Sequence, residues 1–157
     1  MVEARRASIG DAPELMRLRK VMLESMDDEV PDGPWIDGGI AVLRRQLGDP
    51  GDRTGVFVVD VPGGPGLAAC VVGAIDQRLP NPGDPTGLRG YVYSVATDPS
   101  YRRRGFSRAC MTALLQWYAQ RGIAVVDLRA SRDGLPLYES LGFQRTSGPI
   151  MRIHPRG

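Results

Sequence analysis

The segment Tyr93–Trp117, YSVATDPSYRRRGFSRACMTALLQW, constrains this chain more than any other part of its 157 residues. Its first residues alternate bulky and small side chains, as a strand does. From Phe106 onward Ala109, Ala113, Leu114 and Trp117 mark one face of a helix. Between the two lies a short turn holding Arg102, Arg103, Arg104 and Gly105. The first N–H groups of a helix have no internal partners, and the helix dipole favours an anion beside them. A glycine just before the helix lets the backbone approach a phosphate closely, and arginines add charge-assisted bonds to a diphosphate. Read by its physics, the turn is a phosphate or diphosphate site; the alternative is a basic helix start on a solvated face. There is no Gly-Lys-Ser/Thr ending and no three-glycine fingerprint, which argues against a nucleotide-hydrolysing P-loop and a dinucleotide fold.

The remaining elements follow from periodicity and turn chemistry. Val2–Ala7 reads as a first strand. Ser8 or Asp11 caps a helix with Pro13 and Glu14 in its first turn and an apolar stripe at Leu15, Leu18, Met22 and Met26. The acidic, proline-containing stretch Asp27–Asp37 reads as a loop, and a second helix spans Trp35–Leu47. Gly55–Val61 and Leu67–Gln77, divided by PGGPG, form a hairpin of β-branched strands. After the turn-rich loop Asn81–Leu88, Tyr91–Thr97 is a third long strand. Beyond the Phe106–Gln120 helix come a strand at Ile123–Ala130, a short helix at Pro136–Leu141 and terminal strands from Phe143. The predicted order β-α-α-β-β-β-α-β-α-β-β implies an α/β fold, a mixed sheet with helices on both faces.

One domain over residues 1–157 suits this length. Hydrophobic residues at 42% and charged residues at 24% are ordinary globular values, so disorder and fibrous classes are set aside. A net charge of +2 leaves room for a local basic patch but not for a broad nucleic-acid surface. Cys70 and Cys110 sit in apolar runs and read as buried free thiols. With one histidine, His154, and no clustered ligands, no metal site is expected. The N-terminus has no apolar core of a signal segment, and the longest apolar run, Leu67–Val72, falls far short of the ~20 residues of a membrane span. A soluble, cytoplasmic protein without membrane contact is the expectation.

Two motifs carry a resemblance. The run Arg102-Arg103-Arg104-Gly105-Phe106-Ser107, preceded by Thr97-Asp98-Pro99, resembles the Gln/Arg-x-x-Gly-x-Gly/Ala signature of the GNAT superfamily of N-acetyltransferases. Ser107 departs from it, standing where that family prefers glycine or alanine; its hydroxyl is free to add a phosphate bond. Downstream, Tyr138, Gly142 and Phe143 are similar to the family's later Tyr-x-x-x-Gly-Phe ending. Ser131 stands where the family often has asparagine. Taken alone, Tyr138 is an aromatic packed on a short helix, and Gly142 with Phe143 is a helix C-cap.

The resemblance implies a mostly antiparallel sheet, splayed between the two central strands, that binds acetyl-CoA and needs no metal. Val95, Ala96 and Thr97 would extend along the pantetheine arm, with a Val95 N–H polarising the thioester carbonyl. Arg103, Arg104, Gly105, Phe106, Ser107 and Arg108 would hold the pyrophosphate, and Ser131 the pantetheine. Tyr138 would contact the cofactor and protonate the departing thiolate. The acceptor is a primary amine attacking directly in a ternary complex, whether small molecule, peptide N-terminus or lysine. Met22–Trp35 and Asn81–Arg89 are expected to line its cleft, with the acidic run Glu24–Glu29 drawing in a cation or simply solvated. Asp127 and Glu24 are the nearest substitutes for a missing strand carboxylate as base; a water chain serves equally. A homodimer fits the resemblance. The rival readings are a CoA-binding module without turnover and a nucleic-acid binder using Arg102–Arg108, the latter short of aromatic platforms.

Overall fold

The computed structural model describes residues 2–26 and 29–156. A five-stranded sheet runs in sequence order: β1 (Arg5–Arg6), β2 (Thr54–Asp60), β3 (Leu67–Gln77), β4 (Leu88–Thr97) and β5 (Val125–Leu128). The first four pair antiparallel and β5 lies parallel to β4, as a strand reached through a crossover helix must. Helices α1 (Ala12–Met26) and α2 (Pro34–Leu47) cover one face. Helices α3 (Phe106–Gln120) and α4 (Leu135–Ser140) cover the other.

Alternation along β3 decides which face each residue serves. Ala69 and Val71 pack under α3 with Met111 and Leu114, while Cys70 and Val72 pack under α1 with Leu15 and Leu18. Both cysteines are free and buried, and burial pushes the Cys70 thiol up to about 12, so neither is a reactive thiolate.

The α1 start combines both capping residues. The Ser8 N–H donates to the Asp11 carboxylate at 2.8 Å within a short 3-10 turn that leads into the helix. Arg5 then clamps Asp11 and Asp60, at 2.9 and 2.8 Å.

Four expectations change. The first strand is only Arg5–Arg6, an exposed edge element that β2 alone supports. The third long strand begins at Leu88, because β3 stays in register with it as far as Gln77↔Leu88. The strand expected over 123–130 is confined to Val125–Leu128, where β4 partners it. No strand forms from Phe143 onward among the described residues, and Ile150, Met151 and Ile153 are exposed. Asp27 and Asp28 of the acidic run lie outside the described residues. No described helix is long and apolar enough to cross a membrane.

Candidate functional site

The arginine turn and the end of β4 build the site. Asp98 closes β4 by donating its N–H to Ala68 at 2.8 Å, and its carboxylate accepts from Ser100 N–H to start the 3-10 turn Pro99–Tyr101. The chain then reverses through two residues at positive φ, Arg103 (63°) and Gly105 (79°), and α3 begins at Phe106. A Cβ on Gly105 would meet nothing within 4 Å, so the space in front of the helix start is open. Within α3 the first internal acceptor bond is Ala109 N–H to Gly105 C=O at 3.0 Å, which leaves the amides of the first turn unclaimed. Phe106 is buried and stacks on Tyr101, and Arg104 lies over the Tyr101 ring at 5.4 Å. Arg102, Arg103, Arg104 and Arg108 are exposed, and among the described residues no carboxylate pairs with them. Exposed arginines around free helix amides make an anion cradle.

The strand leading to that cradle has one open edge. β5 pairs with β4 from Arg89↔Val125 to Val92↔Leu128 and goes no further, so Tyr93–Thr97 have no strand partner on that side. Because Asp98 N–H points to β3, alternation turns the N–H groups of Val95 and Thr97 toward the unpaired edge and that of Ala96 toward β3. An extended amide chain can dock there as an extra strand. Ala96 itself is buried against the α1 face.

Three of the expected cofactor-binding side chains also have partners within the protein. The Ser107 hydroxyl is taken by Thr97: the two hydroxyls bond each other and tie the last residue of β4 to the first turn of α3. Ser131 accepts the Gly134 N–H at 3.1 Å and so shapes the entry to α4. Arg108 donates to Ser140 at 2.8 Å, fastening α3 to α4. Tyr138 is buried on α4, edge-on to Phe143 at 6.1 Å, and burial raises its hydroxyl above the ordinary value. Gly142, at φ 100°, lets Phe143 N–H return to Tyr138 C=O at 3.0 Å and closes the helix in a Schellman arrangement.

Neither candidate base stands free in a cleft. Asp127 is held by Arg89 at 3.0 Å, and Glu24 is exposed near the end of α1. No group of three or more potential metal ligands occurs among the described residues.

On the opposite face α1, α2 and β4 border a solvent-open cavity of about 230 Å³, lined by Leu15, Met16, Arg19, Trp35, Gly39, Val42, Leu43, Gln46, Val72, Tyr93 and Ser94. A bulge creates its floor. Val72 pairs with Ser94 and Gly73 with Val92, so Tyr93 is the extra residue and both Tyr93 and Ser94 turn to this side. Of the segments expected to line an acceptor cleft, Trp35 contributes here and Asn81–Arg89 do not.

Sequence reading missed Arg17 and Arg19. Arg17 donates to Glu14 at 2.6 Å, Asp98 at 2.8 Å and the Leu67 carbonyl at 2.9 Å, locking α1 to the strands that end at the site. Arg19 occupies a position of the Leu15–Met22 apolar stripe, the one signal that marked it as turned inward.

Comparison with known proteins agrees with this geometry. The model of the acetyltransferase (GNAT) family matches residues 17–143. N-alpha-acetyltransferase RimI of Mycobacterium tuberculosis is 38% identical over 117 residues, covering 74% of this chain and 65% of the relative. Mycothiol acetyltransferase of Kocuria rhizophila is 39% identical over 75 residues, 46% of this chain and 24% of the relative. The chain thus spans less than two thirds of either relative's length. A structure from Clostridium acetobutylicum, described as a predicted acetyltransferase with acetyl-CoA, superposes with a TM-score of 0.83 at 22% identity, covering 98% of this chain and 96% of that one. With the family match running from α1 through Phe143 and the fold shared end to end, this chain belongs to the GNAT acetyltransferase family.

Proposed function

We propose that this protein transfers the acetyl group of acetyl-CoA to a primary amine by direct attack in a ternary complex. The observation that carries the reading is the continuity of the open β4 edge with the unclaimed amides at the start of α3 and with arginines that no carboxylate of the described residues pairs with. Pantetheine amides pair along Val95–Thr97, and the pyrophosphate sits against the first-turn amides of α3 with Arg103, Arg104 and Arg108 around it. The named N-acetyltransferase relatives support the chemistry.

The amine lone pair attacks the thioester carbonyl carbon, forming the C–N bond. The Val95 N–H, on the open edge, stabilises the developing oxyanion. As the tetrahedral intermediate collapses the C–S bond breaks, and the sulfur takes a proton from the Tyr138 hydroxyl. A phenol held above its ordinary pKa donates in concert with C–S cleavage rather than before it. No carboxylate of the described residues lines the 230 Å³ cavity, and the amine's surplus proton leaves to water. The reading further places the protein in the cytoplasm, acting as a monomer or homodimer, without nucleic acid or membrane as partner.

Calorimetric titration of acetyl-CoA into the native protein and into Gly105→Glu tests it. Binding by the native protein, abolished by a carboxylate at the phosphate position, is the expected result. Absence of native binding would sink the reading. Retained turnover in a Tyr138→Phe variant would remove Tyr138 from the mechanism and leave the donor site standing.

A further inference from the structure

The cavity between α1, α2 and β4 holds the Arg19 guanidinium, which forms no salt bridge among the described residues. Its Nη1 atom is buried and has no hydrogen-bond partner among them. The Oε1 atom of Gln46, on α2, is likewise buried and without a hydrogen-bond partner among the described residues. A buried guanidinium nitrogen that donates to nothing is costly, and the cost is recovered when an anion enters. Apart from the hydroxyls of Tyr93 and Ser94, the rest of the wall is apolar, with Met16 and Trp35 among its members. Tyr93 stands beside both polar groups: burial raises its hydroxyl, while the Gln46 amide and the Arg19 charge pull it down. The floor residue Ser94 is the immediate neighbour of Val95, whose N–H faces the proposed thioester position on the open edge.

We infer that this cavity takes an amine acceptor carrying a carboxylate next to an apolar body, an amino-acid-like molecule whose carboxylate pairs with Arg19. The inference rests on the acetyltransferase reading and names its substrate class. A guanidinium fork matches a planar carboxylate in two parallel bonds. The Gln46 carbonyl oxygen is an acceptor and suits an N–H of the same ligand. About 230 Å³ gives room for a single amino-acid-sized molecule. A lysine side chain or a polyamine would place a second cation against Arg19.

The test compares matched pairs: L-methionine, L-leucine and L-phenylalanine against their carboxamides, with ethanolamine phosphate as a further probe. Each is titrated into the CoA-bound protein and also offered as acceptor with acetyl-CoA. Binding is therefore read without depending on turnover. We expect the carboxylate member of at least one pair to bind about tenfold or more tightly than its amide, as a charged hydrogen bond supplies. Arg19→Gln should bring that ratio to about one, and Arg19→Lys should restore part of it as a point charge without the fork. Acetyl-CoA titrated into the same variants reports that the fold is intact. Equal affinity within every pair, binding by neither member, preference for the phosphate, or a preference that survives Arg19→Gln would overturn the inference. If acetyl-CoA itself fails to bind the native protein, the acetyltransferase reading falls instead.

Discussion

The hydroxyls of Thr97 and Ser107 are bonded to each other, joining the last residue of β4 to the first turn of α3 across the arginine turn. The bond spends the one group at position 107 that a smaller residue lacks. Ser107→Ala is therefore expected to cost about 1 kcal/mol of stability, the usual worth of a hydrogen bond. It should change acetyl-CoA affinity by less than about threefold, well under the tenfold that a lost phosphate bond would give. Denaturant melts and calorimetry on the same variant separate the two effects.

Gly105 stands at φ 79° with open space around its missing side chain. Gly105→Ala meets no clash, so its cost is the left-handed backbone alone, about 1 kcal/mol. Arg103, at φ 63°, presents the reverse case. Arg103→Gly should hold or raise the melting temperature by relieving that conformation, while weakening acetyl-CoA binding through the lost guanidinium. Thermal melts and titration on both variants check the opposed signs.

Arg17 gathers Glu14, Asp98 and the Leu67 carbonyl at one point. The Arg17 guanidinium holds the Glu14 carboxyl below its ordinary range, and the Ser100 N–H together with Arg17 does the same for Asp98. Carboxyls with depressed folded values contribute stability that is fully present above the unfolded range near 4 and is lost as pH falls through the lower folded values. Arg17→Met should lower stability at neutral pH by about 1–2 kcal/mol, a figure discounted because 41% of the arginine side chain is exposed. It should also flatten the loss of stability below about pH 4. Urea melts from pH 2 to 7, about the span of the carboxylate titrations, read both.

Tyr138 packs edge-on to Phe143 through its ring, and among the described residues its hydroxyl makes no hydrogen bond. Tyr138→Phe should leave stability within about 0.5 kcal/mol, the range of a change that keeps the packing. As the general acid, its removal should lower kcat by about 100-fold with the acetyl-CoA Kd unchanged. Since burial raises the hydroxyl, the native enzyme should keep its active protonated form past the ordinary phenol value of about 10. A kcat profile that falls with rising pH well below that point would speak against the assignment.

The amino-acid sequence by itself determined whatever depends on short-range rules. Leu67–Gln77 and Phe106–Gln120 stand at their expected bounds because β-branched runs, a helical apolar stripe and a glycine before the helix act over a few residues. The strand–arginine turn–helix unit was legible for the same reason, and so was the Tyr138–Phe143 closure around Gly142. Tertiary structure decided what needs a distant partner. The segment after Phe143 had strand-like residues yet pairs with neither open edge of the sheet, and β5 pairs with β4 only as far as Val92↔Leu128. Whether the Ser107 hydroxyl faced a phosphate or Thr97 depended on a residue ten positions away, and whether Arg19 reached water or a cavity depended on residues as far off as Tyr93. Such choices turn on which polar group finds a partner once water is excluded, and only the packed fold sets that.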